Sequence, residues 1–190
     1  FLVIEKAAEL IDMSKHSGEH PRMGATDVCP FVPISGVTMA DCIQVAHALG
    51  KRVGEELGIP GYHYESAAHT PERKNLAFCR KGEYEGLEKL SSDEFRPDFG
   101  PSAFNDRAQK TGATAIGARD FLVAYNININ STSSRRANAI AFDIREAGRM
   151  KREGGKLSGK IMKDASGAPV RQPGTLKSVE GIGWYIEEYG

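Results

Sequence analysis

Residues 16–20 read His-Ser-Gly-Glu-His. The order fits H-x-x-E-H, the ligand spacing of one class of zinc peptidase. Such a site needs both imidazoles one helical turn apart on a single face. Here Gly18 lies between them and Pro21 follows His20. A proline ring pushes the residue before it toward extended backbone. The helix arriving from residues 3–13 is predicted to end near Ser14 or His16, so the two histidines straddle its end and share no face. No metal is expected here. What remains is a His-Pro-Arg step, residues 20–22, leaving a helix and entering a strand. A second group with chemical potential is the amide row Asn126, Asn128 and Asn130. Three amides in register are poor filler for a dry core, since each unpaired buried polar group costs ~1–3 kcal/mol. They suit either a solvated sheet face or the wall of a polar ligand cavity.

The elements that must position these residues belong to a soluble globular chain. Its 190 residues carry 25 basic and 25 acidic side chains, a balance that argues against general attraction to nucleic acid or anionic membrane. No apolar run approaches membrane-spanning length. Cys29, Cys42 and Cys79 are odd in number and widely spaced, which fits neither a zinc pattern nor a disulfide framework. They read as reduced thiols in a cytoplasmic protein. The chain opens on FLVIEKAAELIDM, a helix already in progress with no capping residue before it. No signal-peptide pattern is present, and an upstream portion is expected to be missing.

After His20, GATDVCPFVPI reads as a strand with Val28 to Val32 at its heart, and Pro30 and Pro33 suggest an edge or a strand end. A helix is predicted from Thr38 to Leu57. Thr38 and Asp41 form a capping-box pattern, and Gly58 is placed to end the helix. His47 on this helix reads as a solvated surface histidine. IPGYHYESAA reads as a strand with Tyr62 and Tyr64 on one side and His63 and Glu65 on the other. Thr70-Pro71 opens a short helix, and another is expected around Tyr84 to Leu90. Residues 121–130, FLVAYNININ, alternate strictly and predict a strand with a greasy face and a face that turns polar along its length. A helix over 131–147 and a strand over 178–187 complete a strand–helix–strand unit. Between them lies a Gly-rich stretch with eight basic and two acidic residues. It reads as a mobile solvated loop, the alternative being a basic flap for an anionic ligand. The pattern as a whole is α+β, with helices outside each sheet.

HPRMGATDVCPFVPISGVTM (20–39), RKGEYEGLEKL (80–90), PDFGPSAF (97–104), GARDFLVAYNIN (117–128) and GIGWYIEE (181–188) together resemble the glutamate formimidoyltransferase family, the formiminotransferase part of formimidoyltransferase-cyclodeaminase. The resemblance runs along nearly the whole chain, the stretch 149–176 being longer than the animal pattern. It implies two ferredoxin-like α/β-sandwich subdomains whose sheets face each other, with helices outside and both subdomains incomplete here. Residues 1–116 would be the C-terminal portion of the first and 117–190 the first half of the second. It implies transfer of a formimino group between N-formimidoyl-L-glutamate and tetrahydrofolate in histidine degradation, tetrahydrofolate being a co-substrate and no metal being needed. A cytoplasmic homodimer is implied, with no nucleic-acid or membrane partner. The catalytic residue of the H-P-R-M-G motif would be His20. The folate-contacting stretch would be Gly100, Pro101, Ser102, Ala103 and Phe104, running on to Gly112, although NDRAQKT between Phe104 and Gly112 departs from the animal pattern.

The residue types agree with that chemistry. N5 of tetrahydrofolate loses a proton as it attacks the formimino carbon, and the glutamate nitrogen gains one as it leaves. An imidazole, which titrates near neutral pH, can do both. Glu19 or Asp27 could orient the ring. Arg22 could bind a substrate carboxylate or form a structural ion pair, and the amide row could line the folate tunnel. The resemblance also leaves a second expectation, a fragment that binds folate without catalysis.

Overall fold

The computed structural model describes every residue except 19, 157 and 187–190. The chain divides into two compact units, Phe1–Val123 and Ala124–Gly190.

The first unit is built on three parallel strands. It opens with α1 (Leu2–Leu10), followed by a 3-10 turn over Met13–Lys15. Next come β1 (Val28–Phe31), α2 (Met39–Arg52) and β2 (Gly61–Glu65). Short helices α3 (Leu76–Cys79) and α4 (Asp106–Thr111) precede β3 (Thr114–Ala118). β3 is central, with β1 and β2 parallel to it on either side. Its sequence, TAIGA, is entirely buried, as expected of a parallel strand covered on both faces. Alternation along the strands separates two cores. Ile116 and Ala118 pack with Ile4, Ala8, Cys42, Ala46 and Val53, which come from α1, α2 and the turn beyond α2. Ala113 and Ala115 pack with Tyr62, Tyr64, Met23, Leu87 and Leu90 on the other face. The predicted division of Tyr62 and Tyr64 from His63 is therefore real. It places His63 on the α2 side.

α2 forms as its sequence dictates. Thr38 and Asp41 bond reciprocally in a capping box. The helix continues into a π-type turn over Val53–Leu57 and ends on Gly58 in the left-handed conformation, where a residue without Cβ bears no steric penalty.

In the second unit, α5 (Ser134–Ile144) is capped by Ser133. β4 (Arg149–Met150) pairs antiparallel with β5 (Arg171–Gln172). Isolated bridges join Arg152 to Ile161 and Lys163 to Pro169. The stretch read as a mobile loop is thus a small hairpin-like array. Asp164 accepts backbone N–H bonds from Ser166 and Ala168 to close its turn, the local competition for backbone groups at which Asp excels.

Neither of two predicted strands forms among the described residues. Residues 121–130 have no strand pairing, and all but Ile129 are exposed. Period-two alternation defines two faces, but a strand exists only if another offers it a ladder, and none does so among the described residues. Within the described part of 178–187, residues 178–186, the chain is held against α5 by side chains instead. The Asn138 amide donates to the Gly183 carbonyl (2.6 Å) and accepts from the Gly183 N–H (3.1 Å). One Asn thus does the work of a strand neighbour. The chain as a whole is α+β, with a parallel three-stranded sheet and a small antiparallel one.

Candidate active site

The segment from His20 to Asp27 runs between the 3-10 turn and β1, with a turn at residues 25–26, and is anchored at its downstream end. Met23 is completely buried in the core of Tyr62 and Tyr64. Its N–H donates to Asp27 Oδ1 (2.8 Å) and its carbonyl accepts from the Ala113 N–H (2.9 Å). Gly24 bridges to Gly112, and Ala25 N–H donates to the Thr111 carbonyl (2.8 Å). These two backbones touch so closely that a Cβ on either glycine would overlap main-chain atoms of the other strand. Gly112 also has φ +65° and ψ −154°, a conformation essentially restricted to glycine.

Arg22 is the second anchor. Its guanidinium forms a two-pronged pair with Glu85 (Nη1 to Oε2 3.1 Å, Nη2 to Oε1 2.9 Å), reaches Glu83 (3.2 Å), and donates to the His16 carbonyl (3.2 Å). The hydrogen bond from Arg22, with its charge, holds the Glu85 carboxyl below the usual range. Of the two roles open to Arg22 in the sequence, the structure gives it the ion pair. Asp27, one candidate for orienting His20, is occupied by the Met23 N–H and by a pair with Arg80. Glu19, the other candidate, lies outside the described residues.

His20 itself is exposed, and its Nδ1 lies 3.0 Å from the Pro21 carbonyl oxygen. A carbonyl only accepts, so the hydrogen of that bond sits on Nδ1 and the lone pair of the neutral ring sits on Nε2.

The stretch expected to contact folate is divided. Gly112 touches the His20 segment through Gly24. Phe104 packs 6.0 Å from the Tyr84 ring. Tyr84 N–H donates to the Arg22 carbonyl (3.0 Å) and its hydroxyl to the Gln109 carbonyl (2.6 Å). Tyr84 thus links Phe104 and Gln109 to the His-Pro-Arg step, a role the sequence reading missed. Its only signal was an aromatic set between two glutamates in GEYEG. Gly100 sits elsewhere, over the Ile59 carbonyl, where a Cβ would collide. Pro101 is half-buried, and Ser102 and Ala103 are exposed. Two small recesses occur in this unit, lined by Tyr62, Arg73 and Phe95 in one case and by Ala25, Thr26 and Thr111 in the other, and neither includes His20. Asn126, Asn128 and Asn130, in the second unit, are exposed.

His47 is not the solvated surface residue expected. It is half-buried, and its Nε2 lies 2.8 Å from the Ala67 carbonyl. Its ring stacks on His69 and meets His63 edge-on. His63 is 4% exposed. Burial, with smaller contributions from His47 and His69, pushes its imidazole down to about 4. Three of the five histidines fall between residues 47 and 69, the one sequence signal for this grouping.

An α+β chain whose H-P-R-M-G segment docks on a glycine backbone through its buried Met23 and Gly24 corresponds to a known domain class. The family described as formiminotransferase domain, N-terminal subdomain, matches residues 1–119, and the formiminotransferase domain matches 124–190. The chain belongs to the formiminotransferase family. It is 51% identical over 183 residues to the formimidoyltransferase-cyclodeaminase of Mus musculus, covering 96% of this chain and 30% of that protein. It is 48% identical over 149 residues to the glutamate formimidoyltransferase of Streptococcus pyogenes serotype M1 (78% and 49%). With that of Thermoplasma acidophilum it shares 51% over 148 residues (76% and 48%). The chain therefore spans from 30% to 49% of these relatives' lengths. No helix among the described residues is long and apolar enough to cross a membrane.

Proposed function

We propose that this chain supplies the acid–base histidine and part of the folate surface of a glutamate formimidoyltransferase, acting in histidine degradation. In this reading N5 of tetrahydrofolate attacks the formimino carbon of N-formimidoyl-L-glutamate. His20 Nε2 takes the proton that N5 loses and delivers one to the departing glutamate nitrogen. The formimino group ends on N5, free glutamate leaves, and the imidazole is restored. Phe104, Gly112 and the neighbouring Gly100–Ala103 stretch form the folate-contacting surface. The whole protein works as a cytoplasmic homodimer. The division into subdomains at residues 116 and 117 belongs to the same reading.

The observation that carries it is the unequal treatment of the H-P-R-M-G segment. Arg22, Met23 and Gly24 are fixed by an ion pair, complete burial and a backbone clasp, while His20 is presented at the surface with its tautomer set by the Pro21 carbonyl. Preorganising the support of a reactive group while keeping that group accessible is what proton transfer to a bound substrate requires. The names of the relatives point the same way.

The test is His20→Ala in the full-length protein, with transfer and tetrahydrofolate binding measured separately. Transfer is expected to fall ~10²–10⁴-fold with binding largely retained. Unchanged transfer overturns the role of His20. Folate binding with no transfer in the unsubstituted protein supports the second expectation, a non-catalytic folate-binding member.

A further inference from the structure

We propose that His47, His63 and His69 form a binding site for a borderline divalent transition metal, with Zn²⁺ its natural probe. One ring nitrogen from each lies within 4.8 Å of the other two. The three come from different elements. His47 is on α2, His63 on β2, and His69 on the turn that follows. Glu65 stands at φ 53° and turns the chain after β2, which brings His69 back toward its neighbours. The site lies on the α2 side of the sheet, opposite the core that holds Met23, and is independent of the reading of His20.

Two of the rings already have the second partner that metal-bound histidines require. A ligating imidazole uses one nitrogen for the metal and gives the other N–H to a carbonyl or carboxylate. His63 Nδ1 faces the Ile116 carbonyl at 3.3 Å, and His47 Nε2 faces the Ala67 carbonyl at 2.8 Å. Both carbonyls accept, so each leaves a lone pair on the opposite nitrogen. His63 is also packed against Gly50, where a Cβ would fall 2.5 Å from its ring, and against Phe99, with centroids 5.0 Å apart. Packing holds its ring, and its backbone N–H donates to Asp98 Oδ2 (2.8 Å). A tetrahedral zinc with bonds of ~2.0–2.1 Å places its ligand nitrogens about 3.3 Å apart. Closing from a spacing of up to 4.8 Å needs each pair of nitrogens to draw in by up to about 1.5 Å, with the exposed His69 turning out of its stack on His47. Three imidazoles and an exposed edge leave a fourth position for water or an exogenous ligand. Imidazole nitrogen selects zinc, copper or nickel over magnesium or calcium, which prefer oxygen.

The occupied site would bridge α2 to the end of β2. The experiment is a Zn²⁺ titration of the chelator-stripped full-length protein against a chromophoric competitor, with Co²⁺ absorption as a readout of coordination. One equivalent is expected to bind. His69→Ala, which removes an exposed side chain, is expected to weaken binding by at least the ~10–100-fold that loss of even an outer partner costs, and to abolish any rise in melting temperature on adding Zn²⁺. His63→Leu, which fills the buried slot with apolar volume, is expected to do the same while circular dichroism confirms the fold. His16→Ala should leave binding intact. Absence of stoichiometric binding overturns the proposal. So does binding that survives His69→Ala and His63→Leu but is lost in His16→Ala, which would move the ion to the His-Ser-Gly-Glu-His pair.

Discussion

Arg22 illustrates how one residue's role depends on what reaches it. Its fork meets Glu85 with two near-parallel bonds and Glu83 with a third, geometry that an ammonium cannot copy. Its side chain is only 14% exposed, while those of Glu83 and Glu85 are 40% and 66% exposed, so truncation removes a packed fork and leaves carboxylates that water can reach. Arg22→Ala is expected to lower unfolding free energy by ~1–3 kcal/mol in urea titration, and Arg22→Lys to recover only part of the loss. Full recovery by lysine would show that charge alone matters. Cys79 offers a second residue-level check. Burial pushes its thiol up to about 11, against ~8.5 for a thiol in water. At pH 8 its thiolate is scarcer by a factor on the order of 100, so alkylation by iodoacetamide should be slower than that of an unfolded control by a similar factor.

Elements carry the next set of consequences. The capping box of α2 satisfies two N-terminal N–H groups reciprocally, with Thr38 Oγ1 accepting from Asp41 N–H and Asp41 Oδ2 accepting from Thr38 N–H. Thr38→Ala is expected to cost ~1 kcal/mol, measured as a shift in denaturation midpoint with unchanged slope. The clasp between Gly24 and Gly112 is less forgiving. A methyl group at Gly112 meets the Met23 carbonyl, and its φ of +65° is unfavourable for any L residue. Gly112→Ala is expected to cost at least ~2 kcal/mol in urea titration and, on the proposed function, to lower formimino transfer in the full-length protein, because the clasp seats the segment that begins at His20. Retained stability would show that the two backbones can separate.

Over the whole molecule, order is uneven. The first unit buries both faces of a parallel sheet, whereas in 121–130 side chains such as Val123 and Tyr125 are 89% and 83% exposed. Amides unprotected by a ladder exchange near the rate of an unfolded chain. Hydrogen exchange on the 190-residue chain should therefore find β3 amides protected longest and 121–130 exchanged within the earliest time points. Slow exchange in 121–130 would mean that this stretch has a strand partner.

Much of this was readable from residue order, because it rests on local physics. The cap at Thr38, the stop at Gly58, the helix near residues 2–10 and the two sides of Gly-Tyr-His-Tyr-Glu follow from backbone sterics and periodicity. The resemblance carried by His-Pro-Arg-Met-Gly and its companion blocks led to the same family as the whole-chain comparisons. Other features depended on what lies across space. Alternation in FLVAYNININ could not say whether a partner strand exists. Asn138 standing in for one beside Gly183, Tyr84 joining Arg22 to the helix before Gly112, and His47 leaving solvent for the company of His63 and His69 all involve residues far apart in the chain. Neighbours along a sequence specify conformation, while burial, pairing and charge are properties of contacts that form only when distant segments are folded together.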